Sequence, residues 1–173
     1  ECNQISFGIN ICEDIWFPRA PSLTRAAGAD VLIVLNASPF QTNKDNERKQ
    51  KVRKHASSIN LPVLFCNVVG GQDELVFDGS SFVLDRNGDI SASAPEFEES
   101  VLIVDLDNVG NPIKNNFFPK KTHSTQQIFD ALVLGTRDYG LKNDYDKVLV
   151  GLSGGIDSAV TVAIAAHAFG RDS

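Results

Sequence analysis

The sequence predicts an α/β chain in two unequal parts: one half of an α/β sandwich that lacks its N-terminal portion, then the opening strand–loop–helix unit of a second, parallel sheet. Three observations predict it. Apolar runs such as Ile5–Ile11, Val31–Leu35 and Leu61–Val69 alternate with helix-like stretches, and Val31–Leu35 is apolar throughout, as in a sheet covered on both faces. A series of shorter strand-like segments follows, turning at Asn87-Gly88, the signal of a tight hairpin. Near the end, Lys147–Val150, the glycine-rich Gly151–Ser158 and the apolar Ala159–Phe169 stand in the order strand, turn, helix. Residues 1–107 make the first part, 108–124 a linker and 125–173 the second.

The totals narrow the function classes. The chain has 173 residues, of which 42% are hydrophobic and 22% charged, an ordinary globular balance. A net charge of −6 without a basic tract argues against a nucleic-acid or membrane surface. Cys2, Cys12 and Cys66 are widely spaced and odd in number, which favours a reduced, cytoplasmic protein over a disulfide-stapled one. No run reaches the ~18–20 apolar residues of a membrane span, and no signal peptide opens the chain. The sequence begins at Glu1, contains no methionine and stops at Ser173, just after the apolar helix. A lone strand–loop–helix unit cannot bury both faces of its sheet. The chain is therefore expected to be an internal segment, completed by N- and C-terminal parts of the same polypeptide.

In order, Ile5–Ile11 is a strand interrupted by small and polar residues, and it delivers Cys12 into Glu13–Pro18, which is acidic, then aromatic, then proline-broken. A cysteine at a strand end is where a nucleophile can project from a rigid scaffold. Taken alone, Cys12 reads better as a small buried hydrophobe, since flanking carboxylates do not favour a thiolate. Pro21–Gly28 reads as a short helix ended by glycine. Val31–Leu35 is a strand ending in Asn36–Pro39, on the same side as Cys12 if the strands are alike. Asn43–Asn60 is a charged helix with sparse apolar positions (Val52, Ala56, Ile59), expected on the surface with Arg48, Lys49, Lys51, Arg53 and Lys54 on a solvated face. Leu61–Val69 is the next strand, with Cys66 in the core. Asp73–Asp85, Ser91–Pro95 and Val101–Asp105 extend the sheet. Asn108–Ser124, rich in Asn, Pro, Gly and Lys, reads as a linker. Ser124-x-x-Gln127 then suggests a capping box opening a helix that carries Ile128, Leu132 and Tyr139 on one face and closes at Gly140. His123 and His167 have no ligand-spaced partners and read as structural, and His55 reads as structural or exposed.

Gly151–Ser158 (GLSGGIDS) is the most specific stretch. Strand, glycine turn and helix bring backbone N–H groups and a helix N-terminus onto an anion. Ser153 and Ser158 add hydroxyls, and Gly154 and Gly155 let phosphate oxygens reach the backbone. No lysine of the Walker type is present, so a cation is expected to neutralise the phosphate, with Asp157 as the carboxylate that would hold Mg²⁺. The bland alternative is a capped turn with Ser158 as N-cap. Ser153–Ser158 resembles the S-G-G-x-D-S loop of the ATP pyrophosphatases, which adenylate a substrate and release pyrophosphate. The resemblance implies ATP binding by Gly151, Ser153, Gly154, Gly155, Ile156, Asp157 and Ser158 in a Rossmann-like (adenine nucleotide α-hydrolase-like) parallel sheet.

Gly8-x-x-Ile11-Cys12-Glu13-Asp14-Ile15-Trp16 resembles the nucleophile segment of the nitrilase (carbon–nitrogen hydrolase) superfamily, whose members use a glutamate, a lysine and a cysteine to cleave an amide. The resemblance makes Cys12 the nucleophile and the first part a nitrilase-like α/β sandwich half. It places the family's glutamate and lysine upstream. In glutamine-using relatives a strand-end serine and a basic residue six positions on hold the amino-acid end of the substrate; Ser38 and Lys44 match, and Glu13 is a weaker candidate. The two resemblances in this order are together similar to the glutamine-dependent NAD⁺ synthetase family. That implies ammonia release from L-glutamine, adenylation of deamido-NAD⁺ by ATP with Mg²⁺, and a homo-oligomer. Two rivals stay open: another glutamine-dependent ligase built on the same ATP loop, and a non-catalytic nucleotide-binding or scaffold protein.

Overall fold

A computed structural model of the chain describes residues 4–113, 117–119 and 122–170. Cys2, linker positions 114–116 and 120–121, and residues 171–173 lie outside the described residues. The elements are β1 (Phe7–Ile11), α1 (Arg19–Ala26), β2 (Val31–Asn36), α2 (Lys44–Ile59), β3 (Val63–Asn67), β4 (Val69–Gln72), β5 (Leu75–Asp78), β6 (Phe82–Leu84), β7 (Ile90–Ser93), α3 (Ser124–Lys142) and α4 (Ile156–Phe169). One sheet runs in the order β1-β2-β3-β6-β7, and β4 and β5 form a separate hairpin. Strands β1, β2 and β3 are parallel, with Ile11 beside Leu35 and Leu35 beside Cys66, so their carboxyl ends share one edge. Strands β6 and β7 run antiparallel to complete it.

The register puts Gly8, Leu32, Val34, Val63, Phe65, Phe82 and Leu84 on one face. Most of these are buried against Val52, Ala56 and Ile59 of α2. Phe65 stacks on Phe82 at 4.7 Å between ring centroids, and each such buried side chain contributes about 1.5–3 kcal/mol. Helix α2 lies on the surface with Lys51, Arg53 and Lys54 exposed, but its other face is packed into the core. Arg48, Val52, His55, Ala56 and Ile59 recur at helical spacing along one buried face, and left-handed Asn43 and Asn60 bound it. His55 is structural: burial is the main cause that holds its pKa below the ordinary value, and Lys54 adds to it.

The opposite face carries Ile9, Ile11, Leu35 and Cys66, all exposed. Within this chain that face is uncovered, so Cys66, expected in the core, is exposed. Cys66 lies on the alternate side of β3 from Phe65, away from α2.

Three further expectations change. Val101–Asp105 forms no strand, and Val101 is 91% exposed; the chain turns at Asp107, whose carboxyl is held below its usual range by the Asn111 N–H donating to it. The capping box does not form, because the His123 ring accepts from Thr125 N–H while Gln127 donates to Glu96 instead. Gly140 does not end α3, which runs on to Lys142. It buries Ala131, Leu134 and Gly140, not Ile128, Leu132 and Tyr139. Its side chains grip the β4–β5 hairpin: Gly71 N–H donates to Asp138 at 2.7 Å, and Lys142 donates to the Gly71 carbonyl. On its other side α3 meets α4, with Phe169 against Gly140.

Gly8 shows how closely β1 and α1 approach. A Cβ there would fall 2.0 Å from Thr24 Cγ2 and 3.0 Å from Ala29 Cβ. Gly8→Ala is expected to destabilise the domain by about 1–3 kcal/mol, the usual cost of overpacking; a denaturant midpoint unchanged from wild type would refute this close approach.

Candidate functional site

The carboxyl edge of β1, β2 and β3 gathers the residues singled out by the sequence. Cys12 follows β1 with φ of +49°, a left-handed conformation that costs a non-glycine residue about 1 kcal/mol or more. It opens a single helical turn, Cys12–Trp16, which Ile15 anchors in the core. Ile11 N–H donates to Asp14 at 2.9 Å and closes that turn. Trp16 lies under the Lys51 ammonium at 4.5 Å from the ring centroid. Cys12 is half-buried and Glu13 exposed at the end of the strand.

Ser38 lies two residues beyond β2, and Lys44 is the first residue of α2. Ser38 is buried, and its N–H donates to Asn67 Oδ1 at 3.1 Å. Lys44 Nζ lies 3.5 Å from the Gln41 amide oxygen. Cys12, Glu13, Ser38 and Lys44 thus all leave the same end of the sheet, on three successive elements.

Beneath this edge lies a buried polar network that the sequence did not announce. Asn67 accepts from Asn36 Nδ2 at 2.7 Å and from Ser38 N–H, and donates to Asp78 at 3.2 Å and the Gly79 carbonyl at 2.9 Å. Arg48 clamps Asp78 with two bonds, 3.1 and 2.7 Å. Arg48 is 1% exposed, where the sequence suggested a solvated face. Its signal was spacing: Arg48 is four residues before Val52 and eight before Ala56, on the apolar stripe.

The second group is the Gly151–Ser158 loop. Gly154 has φ of +86°, open to glycine at little cost. Ser153 N–H donates to Ser158 Oγ at 3.2 Å, the two hydroxyls bond at 3.0 Å, and Ser158 Oγ donates to the Gly155 carbonyl at 3.0 Å. The loop is held folded by its own serines. Gly155, not Ser158, is the N-cap of α4. Space beside Gly151 and Gly154 is open, and Gly151–Asp157 are all exposed. Lys147–Val150, expected as a strand, pairs with no strand among the described residues, and Leu149 is fully exposed. Helix α3 touches both the β4–β5 hairpin and α4, so it stands between the two groups.

For Mg²⁺, no cluster of three acidic, histidine or cysteine side chains is placed to hold an ion among the described residues. Magnesium commonly takes one or two carboxylates, with phosphate oxygens and water completing its shell. The single exposed Asp157 carboxylate at the loop fits that donor set.

The structure thus defines an α/β chain in which a parallel sheet edge presents a left-handed, half-buried cysteine and a later glycine turn stands open at a helix N-terminus. The carbon–nitrogen hydrolase family matches residues 1–114 and the NAD synthase family residues 128–173. This chain belongs to the carbon–nitrogen hydrolase family. It is 38% identical over 166 residues to the glutamine-dependent NAD(+) synthetase of Acinetobacter baylyi, covering 96% of this chain and 31% of that protein. It is 40% identical over 168 residues to the Rhodobacter capsulatus enzyme of the same name, covering 96% and 30%. Its fold matches the glutamine-dependent NAD⁺ synthetase of Acinetobacter baumannii, solved with adenosine diphosphate, with a TM-score of 0.89 and 40% identity over 96% of this chain and 32% of that one. A carbon–nitrogen hydrolase from Helicobacter pylori aligns with a TM-score of 0.51 and 30% identity over 54% of this chain and 37% of that one. The chain spans about a third of the length of the curated relatives it matches. Among the described residues no helix is long and apolar enough to cross a membrane.

Proposed function

We propose that this chain carries the cysteine side of the amidase site and the ATP loop of a glutamine-dependent NAD⁺ synthetase. The observation that carries the reading is the pairing, in one chain, of a carbon–nitrogen hydrolase segment with an NAD synthase segment. Residues 1–107 belong to the amidase domain, 108–124 to the linker and 125–173 to the start of the synthetase domain.

In the amidase domain, Cys12 Sγ attacks the amide carbon of glutamine. Ammonia leaves and a thioester forms, and water then releases glutamate, so that one hard hydrolysis becomes two easier steps. Ser38, Lys44 and Glu13 hold the amino-acid end of glutamine at the sheet edge. In the synthetase domain, the Gly151–Ser158 loop receives the phosphates of ATP on backbone N–H groups, with Ser153 and Ser158 ordering the turn. Mg²⁺ held by Asp157 would supply charge neutralisation as pyrophosphate departs. Ammonia then displaces AMP from adenylated deamido-NAD⁺. Its passage inside the protein matters because in neutral water it is mostly ammonium, which is not nucleophilic. The same reading makes the protein a cytoplasmic homo-oligomer.

The test uses the full-length protein with ATP, Mg²⁺, deamido-NAD⁺ and glutamine labelled with ¹⁵N at the amide. The expected result is NAD⁺ carrying the label even with unlabelled ammonium present at equal concentration. Failure to form labelled NAD⁺ defeats the reading.

A further inference from the structure

Two side chains assigned to glutamine, Ser38 and Lys44, flank a short loop whose Phe40 N–H donates to the Val76 carbonyl and whose Gln41 carbonyl accepts from Lys44 N–H. A side-chain network beneath them ties the two ends together as well. Asn67 uses both of its amide groups fully: its oxygen accepts from Asn36 Nδ2 and Ser38 N–H, and its nitrogen donates to Asp78 and to the Gly79 carbonyl. Asp78 is in turn held at both carboxylate oxygens by Arg48. Arg48 lies one helical turn after Lys44 on α2. The same guanidinium reaches Asp45 at 3.4 Å, and Asp45 bonds Lys49 and Ser80. A continuous hydrogen-bonded path therefore runs from the Ser38 backbone to the first turns of the helix that begins with Lys44.

Satisfying the buried Ser38 N–H, which would otherwise cost about 1–3 kcal/mol, accounts for Asn67 but not for the whole path, since a buried ion pair such as that of Arg48 and Asp78 is often replaceable by apolar side chains without loss. The network also leaves Asn36 Oδ1 buried with no partner among the described residues. Asn36 is the residue of β2 at the level of Cys12, since Ile11 pairs with Leu35. A cluster built only to be self-sufficient would satisfy that atom.

We propose that Asn67, held by Asp78 and Arg48, is a positioning residue that fixes the spacing of Ser38 and Lys44 and so sets the affinity of the amidase site for the amino-acid end of glutamine. The inference rests on the assignment of Ser38 and Lys44 to glutamine. Asn67→Asp tests it: one oxygen still faces Asn36 and Ser38, while the other replaces a donor by an acceptor facing Asp78 and the Gly79 carbonyl. In the full-length protein, Asn67→Asp is expected to raise the KM for glutamine by about 10–100-fold, the equivalent of one or two broken buried hydrogen bonds. The kcat at saturating glutamine should stay within about threefold, and synthesis from ammonium chloride within about twofold, because neither depends on ground-state binding of glutamine.

An unchanged KM for glutamine overturns the proposal, and so does a parallel fall of the glutamine- and ammonium-supported rates. Should Asn67→Asp fail to fold, Arg48→Lys, which keeps the charge and loses the two-point grip, must show the same selective rise in KM, or the proposal falls. Ser38→Ala separates the two levels. If it leaves the KM unchanged, the glutamine assignment itself fails. If it raises the KM while the Asn67 and Arg48 variants do not, only the positioning role is lost.

Discussion

Replacing Cys12 with alanine in the full-length protein is expected to lower glutamine-supported NAD⁺ synthesis by about 10⁴-fold or more, the scale on which a covalent nucleophile is missed, while synthesis from ammonium salts stays within about twofold of wild type. Two structural facts set this division. Cys12 stands at the carboxyl edge of the parallel strands, and the Gly151–Ser158 loop stands on α4 beyond the intervening α3, so removing the thiol leaves the loop untouched. The substitution is also mild for the fold. Cys12 is only half-buried, and alanine accepts its left-handed φ of +49° at the cost cysteine already bears. The measurement is NAD⁺ formation with glutamine or ammonium chloride as nitrogen donor. Loss of both activities would mean that the two sites are not separable.

Much of the fold was legible because hydrophobic periodicity and punctuation agree along the chain. The three parallel strands, α1, α2 and α4 lie where the apolar runs, Gly28 and the left-handed Asn60 suggested. What failed shares a cause: a segment's apolar content says that it wants a partner, not which partner it finds. Val101–Asp105 and Lys147–Val150 are rich in the residues of true strands, yet neither pairs with a strand among the described residues. Cys66 could not be assigned to a face before the register of β3 was known. On α3, Ile128, Leu132 and Tyr139 were read as sharing one face, but the small residues Ala131, Gly135 and Gly140 allow close approach, and they decided which side met the hairpin and α4.

The candidate site was legible where chemistry and local sequence coincide. Cys12 with its acidic turn, and the serine–glycine loop, are contiguous and carry their own backbone geometry. The Arg48–Asp78–Asn67 network was not, since its members are 30 and 11 residues apart and meet only through sheet order. In a helix with so many cations, composition favoured solvent for Arg48. Only its place on the Val52–Ala56 stripe spoke for burial.

Asp157→Asn is expected to lower both the glutamine and the ammonium routes by about 10²–10³-fold, or about 3–4 kcal/mol, the order supplied by a metal ion at a departing phosphate. Asp157 lies in the first turn of α4, where free N–H groups and the helix dipole favour an anion. Without a cation, a carboxylate there would repel the phosphates that the loop invites. At about 4 Å and near-surface screening, that repulsion is about 4 kcal/mol, enough to defeat the purpose of the turn. A divalent ion held by Asp157 would reverse the sign of the interaction. Asparagine keeps the size and the turn, and the loss of a favourable charge at the helix end costs the fold only about 0.3–1 kcal/mol. The catalytic loss should therefore exceed the structural one several times over. The decisive measurements are the Mg²⁺ concentration giving half-maximal rate, expected to rise, and the rate of Cys12 alkylation by iodoacetamide, expected to stay the same. An unchanged Mg²⁺ requirement in a folded variant would remove Asp157 from the metal's shell and leave the loop to hold its phosphates by backbone N–H groups and serine hydroxyls alone.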